Sequence, residues 1–143
     1  MQNILITGCS SGIGLETALI LKRNNYKVYA SARKAKDIEM LEKLGFETFK
    51  IDVRNKEEIK YALETILRND LKLDAIFNNA GFGQPGAVED VSVEVLKEQF
   101  DTNFFGLHEV TLQTMKIFRK QGFGKIIQHS SVLGLISLKY RGA

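Results

Sequence analysis

The feature that most constrains the fold of this chain is a regular alternation of short apolar runs with longer stretches of helical periodicity. Five runs have the character of buried strands, at residues 3–6, 27–32, 47–52, 73–79 and 125–130. Helical patterns separate them, at residues 13–24, 37–44, 56–69 and 93–121. Because strands joined by helical crossovers form right-handed units of a parallel sheet, the sequence predicts a single α/β domain over residues 1–143. We expect an open, doubly wound sheet of about five strands with helices on both faces.

Composition argues against several classes of function. The net charge is only +3, and basic residues are scattered among acidic ones, so no nucleic-acid surface is expected. Cys9 is the only cysteine, which rules out an internal disulfide and a multi-cysteine metal site, and no metal site is expected. The chain lacks a signal-peptide pattern, and no apolar run approaches the ~20 residues that cross a bilayer. We therefore predict a cytoplasmic protein with no membrane span.

The turn after the first strand is the best candidate for a ligand site. Gly8, Gly12 and Gly14 lie on this turn, in the stretch "LITGCSSGIGLE". In open parallel sheets, ligands bind beyond the carboxyl ends of the strands, and the free amides and positive dipole end of the next helix suit a pyrophosphate. Ser10 and Ser11 add hydroxyl donors. The same pattern also fits a tight turn that binds no ligand.

Four short motifs follow one another along the chain. They are "TGCSSGIG" at 7–14, "NNAG" at 78–81, "DTNFFG" at 101–106 and "IIQHSSVLG" at 126–134. In type and order they resemble the motifs of the short-chain dehydrogenases/reductases, in particular the NADPH-dependent aldehyde, retinal and 17β-hydroxysteroid reductases. The resemblance implies a Rossmann-like fold. It also implies hydride transfer between a nicotinamide cofactor and a small-molecule carbonyl or alcohol substrate.

The resemblance further implies which residues touch the cofactor. The positions along the pyrophosphate are Gly8, Ser10, Ser11, Gly12, Ile13 and Gly14. The positions beside the adenine and the ribose are Asp52, Val53, Asn79, Ala80 and Gly81. Asp52 has an alternative role as a turn-forming or helix-capping acid.

The end of the second strand favours NADP(H) over NAD(H). Ala32 stands where NAD-specific members of the family carry an acid that binds both ribose hydroxyls. Arg33 and Lys34 follow it, and both side chains can pair with a 2′-phosphate. The alternative is that Arg33 is a solvated surface charge.

Half of the family's catalytic set has a counterpart in the sequence. Asn103 in "DTNFFG" resembles the asparagine that orders a proton-relay water, and Ser131 in "HSSVLG" resembles the serine that polarises the substrate oxygen. Ser131 has an alternative role in capping backbone groups at a strand end. The family's Tyr-x-x-x-Lys motif would begin about thirteen residues after that serine, just beyond Ala143, and Tyr140 falls too early to replace it. We therefore expect an amino-terminal portion of a reductase that is inactive alone.

Two further expectations concern partners and an alternative function. The helical stretch 93–121 carries apolar side chains on more than one face, so we expect a homo-oligomer. The alternative to an enzyme is a non-catalytic module that binds a dinucleotide.

Overall fold

The computed structural model of the protein describes residues 1–141 and contains one parallel sheet of five strands. The strands are β1 (Asn3–Ile6), β2 (Lys27–Ala32), β3 (Glu47–Lys50), β4 (Ala75–Asn78) and β5 (Lys125–Gln128). Their order across the sheet is β3-β2-β1-β4-β5, so the direction of winding reverses between β1 and β4. This order confirms the predicted doubly wound fold. It also creates a crevice beyond the carboxyl ends of β1 and β4.

Helices cover both faces of the sheet. The α-helices of the described residues are α1 (Gly12–Arg23), α2 (Ala35–Lys43), α3 (Lys56–Asp70), α4 (Val93–Phe100) and α5 (Leu107–Gln121). Side chains of α1 and α2 join the core on one face, and side chains of α3 and α5 join the core on the other. Within residues 1–141, none of these helices combines the length and the apolar character that crossing a membrane requires.

The strands deliver alternate side chains to the two cores. On β1, Ile4 and Ile6 belong to the core under α1 and α2, whereas Leu5 between them belongs to the core under α3 and α5. On β2, Val28 and Tyr29 divide between the two cores in the same way. Because side chains alternate along a strand, a sheet covered on both faces needs apolar residues at successive positions, which accounts for the continuous apolar run of β1.

The predicted helical stretch over residues 93–121 is present without a break, but its centre is π-helical and not α-helical. Asp101–Gly106 forms a π-helical turn between α4 and α5. Gly106 lies close to the loop after β3, because a Cβ added to Gly106 would come 2.6 Å from Cγ2 of Val53. Apolar spacing continues on both sides of the turn, so periodicity alone did not reveal it. Such π-helical turns inside α-helices occur frequently at functional sites.

Several exposed apolar side chains lie in the segment that follows β5. β5 lies at an edge of the sheet, and three of its four residues are exposed. Leu135, Ile136 and Leu138 each expose more than half of their surface, at 88%, 56% and 58%. An exposed strand edge offers backbone N–H and C=O groups with which another segment can pair.

Candidate functional site

A cleft of about 570 Å³ opens beyond the carboxyl ends of β1, β2 and β4. Twelve of the thirteen predicted cofactor residues line it, namely Gly8, Ser10, Ser11, Ile13, Gly14, Arg33, Lys34, Asp52, Val53, Asn79, Ala80 and Gly81. The exception is Gly12, which is exposed at the start of α1 and is not part of the lining. The strand order therefore brings four separate stretches of sequence together at one site.

The turn after β1 is shaped by the close approach of the loop after β4. Gly8 has a φ of +74°, and a Cβ there would lie 2.8 Å from the Cα of Ala80. A Cβ on Gly14 would overlap the carbonyl oxygen of Gly8 and the side-chain nitrogen of Asn79. Only glycine fits these two positions, because any side chain would push the two loops apart.

Thr7 ties the same two loops together. Its hydroxyl oxygen accepts hydrogen bonds from the backbone N–H of Asn79 at 3.0 Å and of Ala80 at 3.1 Å, and its hydroxyl lies 3.4 Å from the carbonyl oxygen of Phe77, to which it donates. The side chain is buried. Thr7 therefore holds the floor of the cleft in place.

Asn79 bridges the glycine turn and the end of β5. Its Nδ2 donates to the carbonyl oxygens of Thr7 and Gly8, each at 3.0 Å. Its Oδ1 lies 2.9 Å from Nδ1 of His129. Because the oxygen of the amide can only accept, His129 must carry its proton on Nδ1. His129 lines the cleft but was not predicted, although its place at the carboxyl end of a parallel strand was a usable signal.

The start of α1 presents hydrogen-bond donors to the cleft. Ser11 is the N-cap residue and makes no side-chain capping bond to the rest of residues 1–141. The first amides of a helix have no intrahelical partner, and the first turn of α1 carries no acidic side chain. These donors and the helix dipole fit an anionic diphosphate.

Cys9, in the same turn, fills space below the surface. Its side chain is fully buried, and its Sγ lies 3.4 Å from the carbonyl oxygen of Ile6. Burial raises the pKa of the Cys9 thiol to about 12, although a hydrogen bond between the thiol and the backbone of Ser31 opposes this rise. A thiol with so high a pKa stays protonated and unreactive near neutral pH.

The charged wall of the cleft comes from the residues after β2 and β3. Arg33 and Lys34 are exposed lining residues, and Arg33 has no ion pair within 4 Å in the part of the chain that the structure describes. Asp52, in contrast, accepts three hydrogen bonds from Arg54, from N and Nε at 3.0 Å and from Nη2 at 2.7 Å. These bonds hold the pKa of the Asp52 carboxyl below its usual value, although burial opposes the shift.

The two predicted catalytic residues lie outside the cleft lining. Asn103, in the π-helical turn, accepts from the N–H of Phe82 at 3.0 Å and donates to its carbonyl oxygen at 2.6 Å. Ser131 is exposed and accepts from the N–H of Leu133 at 3.1 Å, as the N-cap of the 3₁₀ turn Val132–Gly134. This bond corresponds to the capping role considered for Ser131. No cluster of three or more metal-binding side chains occurs among residues 1–141.

A sequence profile described as short chain dehydrogenase matches residues 2–142. The chain belongs to the short-chain dehydrogenase family. The chain is 45% identical over 143 residues to the uncharacterized oxidoreductase YbbO of Escherichia coli, covering 99% of this chain and 53% of YbbO. Human retinol dehydrogenase 8 is 34% identical over 144 residues, covering 94% of this chain and 45% of that enzyme. The chain thus spans about half the length of the curated relatives that it matches.

Solved structures of other proteins share this fold. ElxO with NADP bound aligns with a TM-score of 0.91 and 26% identity, over 98% of this chain and 59% of ElxO. NAD⁺-bound xylitol dehydrogenase aligns with a TM-score of 0.89 and 24% identity, over 98% of this chain and 56% of that chain. Neighbours with either nicotinamide dinucleotide therefore have this architecture.

Proposed function

We propose that this chain binds NADP(H) in the cleft and forms the dinucleotide-binding part of an oxidoreductase that acts on a carbonyl or alcohol substrate. One observation carries the proposal: the glycine turn at the start of α1 lines the same cleft as the guanidinium of Arg33, which forms no ion pair with any described residue. A bound nicotinamide supplies the hydride, and the residues of this chain bind and orient it.

In this proposal the pyrophosphate lies against the first turn of α1. The donors are the free backbone amides near Gly12, Ile13 and Gly14, with the hydroxyls of Ser10 and Ser11 beside them. Gly8 and Gly14 contribute by keeping side-chain atoms out of the turn, so that the phosphates can approach the backbone closely.

The preference for NADP(H) rests on charge at the adenosine end. Arg33 and Lys34 would pair with the 2′-phosphate, and the nearest strand position, Ala32, carries no acid to oppose it. NADP-bound ElxO is consistent with this choice, since it shares both the fold and 26% of the aligned residues. The adenine would lie near Asp52 and Val53, and the nicotinamide ribose near Asn79, Ala80 and Gly81.

The catalytic roles belong to the same proposal. Ser131 would polarise the substrate oxygen, and Asn103 would order a water for proton transfer. The sequence contains no Tyr-x-x-x-Lys, so residues 1–143 alone lack a positioned general acid, which typically costs 10²–10⁴-fold in rate. We therefore propose that the chain binds cofactor but is inactive alone. The backbone hydrogen bonds of Asn103 and Ser131 also favour a second candidate, a non-catalytic dinucleotide-binding module.

We also propose that the protein is cytoplasmic and forms homo-oligomers. Phe100 in α4 is 48% exposed, and Leu112 in α5 is 43% exposed, so both helices present apolar surface that a second copy would cover.

Calorimetric titration of the purified chain with NADPH and NADH tests the cofactor choice. We expect NADPH to bind at least about ten-fold more tightly, and Arg33→Gln to remove most of that difference. Lys36→Gln is the matched control, because Lys36 is also exposed, in the first turn of α2, but does not line the cleft. Equal binding of both cofactors, or equal losses in the two variants, would overturn the proposal.

A further inference from the structure

We propose that Arg54 determines cofactor specificity by clamping the carboxylate of Asp52, so that this carboxylate does not oppose a phosphate bound at Arg33. The inference rests on the proposed function, because it assigns a role to a residue beside the proposed 2′-phosphate position. Arg54 would be a positioning residue, since it acts through Asp52 and Arg33.

Hydrogen bonds with Arg54 fix the position of the Asp52 carboxylate. Both carboxylate oxygens of Asp52 accept from the guanidinium of Arg54, at 3.0 Å from Nε and 2.7 Å from Nη2. The backbone N–H of Arg54 also donates to Oδ1 of Asp52 at 3.0 Å, and the backbone N–H of Asp52 donates to Glu58 at 2.7 Å. A two-pronged pair supported by backbone bonds has little freedom to rotate toward another cation.

Asp52 is the acid that would otherwise compete for Arg33. Both residues line the cleft, and the charge of Arg33 contributes to lowering the pKa of Asp52, although the two side chains form no ion pair. Without Arg54, the carboxylate of Asp52 could turn to Arg33 and occupy the cation that the phosphate needs. It would also repel a phosphate directly, because like charges near a protein surface repel each other.

The other acidic residues of the cleft are not paired with an arginine in this way. Asp37 and Glu98 also line it, but neither shares an ion pair with Arg33 or Arg54 within the part of the chain described. Arg54 therefore neutralises the carboxylate of Asp52, while Arg33 and Lys34 remain available to bind the 2′-phosphate. A purely structural role for Arg54 would affect NADPH and NADH alike, because both cofactors use the same turn.

The test is a set of dissociation constants for NADPH and NADH with wild type, Arg54→Gln, Asp52→Asn and the double variant. We expect Arg54→Gln to weaken NADPH binding about ten-fold while NADH binding changes little, and the double variant to restore the NADPH preference. Arg54→Lys should be intermediate, since it keeps the charge and loses the fork. Arg68→Gln is the control, because Arg68 is an exposed arginine at the far end of α3.

Adenosine fragments separate this inference from the proposed function. Binding of 2′,5′-ADP and 5′-AMP is measured with the same variants, and thermal melting shows that each variant is folded. If wild type fails to prefer NADPH and 2′,5′-ADP, the proposed cofactor is wrong. If wild type prefers them but Arg54→Gln weakens all four ligands equally, or the double variant Arg54→Gln/Asp52→Asn does not restore the preference, the role of Arg54 is wrong and the proposed cofactor stands.

Discussion

Charged side chains cluster at the amino-terminal and at the carboxyl-terminal ends of the parallel strands. We call these two places the two edges here, and their charges are used differently. Where β2 and β3 begin, Nζ of Lys27 lies 2.7 Å from Asp70 and 2.9 Å from Glu47, and the hydroxyl of Tyr29 donates to Asp70. Where β2 ends, Arg33 has no ion pair within residues 1–141. The charges at the first edge pair with one another, whereas the second edge has a cation, Arg33, that a ligand can pair with.

The protonation behaviour of the two edges follows from this contrast. Burial alone would raise the pKa of Asp70, but hydrogen bonds from Lys27 and Tyr29 outweigh burial and hold that pKa below its ordinary value. Burial and the bond to Asp70 raise the pKa of Tyr29 to about 12. A self-contained charge cluster stabilises the fold over a wide pH range, whereas an unpaired surface cation contributes little to stability and is available for binding.

The largest effect is expected from disturbing the cleft edge at Gly14. An alanine Cβ there overlaps atoms of Gly8 and Asn79, so Gly14→Ala should lower the free energy of unfolding by about 3 kcal/mol and abolish NADPH binding. Urea unfolding and calorimetric titration measure the two effects. Gly134→Ala is the control, because a Cβ at Gly134 meets no atom within 4 Å. A Gly14→Ala protein as stable as wild type would show that the two loops are not in close contact.

A smaller effect is expected at the opposite edge from Asp70→Asn. The variant leaves Lys27 with fewer partners, so near neutral pH the free energy of unfolding should fall by about 2 kcal/mol, while the NADPH preference is unchanged. Because the folded pKa of Asp70 is depressed, its contribution is complete above the ordinary value of 3.8 and is lost as the pH falls through the lower folded value.

The free energies of unfolding of wild type and Asp70→Asn should therefore begin to approach each other as the pH falls below 3.8, and should meet below the lower folded pKa of Asp70. Asp90→Asn serves as the control, since Asp90 is exposed in a surface turn. A difference that persists at acid pH would show that Asp70 stabilises the fold by packing and not by charge.

The smallest effect is expected from Tyr29→Phe, which keeps the ring beside Phe49 and removes only the hydroxyl. The loss should be about 1 kcal/mol. The raised pKa of Tyr29 means that its contribution is complete below the ordinary value of 10.0 and disappears as the pH rises toward about 12. In an absorbance titration of tyrosinate, the component near pH 12 should be missing from this variant and retained in Tyr61→Phe. Retention of that component in Tyr29→Phe would assign it to another tyrosine.

The sequence predicted the sheet well because its signal is local. Alternation of Ile4, Leu5 and Ile6 between two cores requires an unbroken apolar run, and such runs are visible without any knowledge of the fold. The second helix was predicted to begin at residue 37, but in the structure it begins at Ala35. The sequence did not reveal this start because the N-cap residue, Lys34, is not of a type that usually caps helices.

The parts of the site that sequence analysis missed depend on contacts between distant segments. His129 meets Asn79 only because β5 lies beside β4, and the π-helical turn at Asp101–Gly106 has no distinctive spacing. The pairing of Asp52 with Arg54 is local and could have been proposed from a separation of two residues, but such pairs are too common in turns to predict a role. Ser131 and Asn103 were chosen by motif, which carries no information about their present backbone bonds.

The amide of Asn79 has a consequence for how quickly a ligand can enter. It joins the glycine turn, the end of β4 and, through His129, the end of β5 into one rigid unit. Because these three segments around the cleft are already hydrogen-bonded to one another, the cleft needs no rearrangement before a ligand binds. Rapid mixing with a nucleotide should accordingly give a single kinetic phase whose rate rises linearly with ligand concentration.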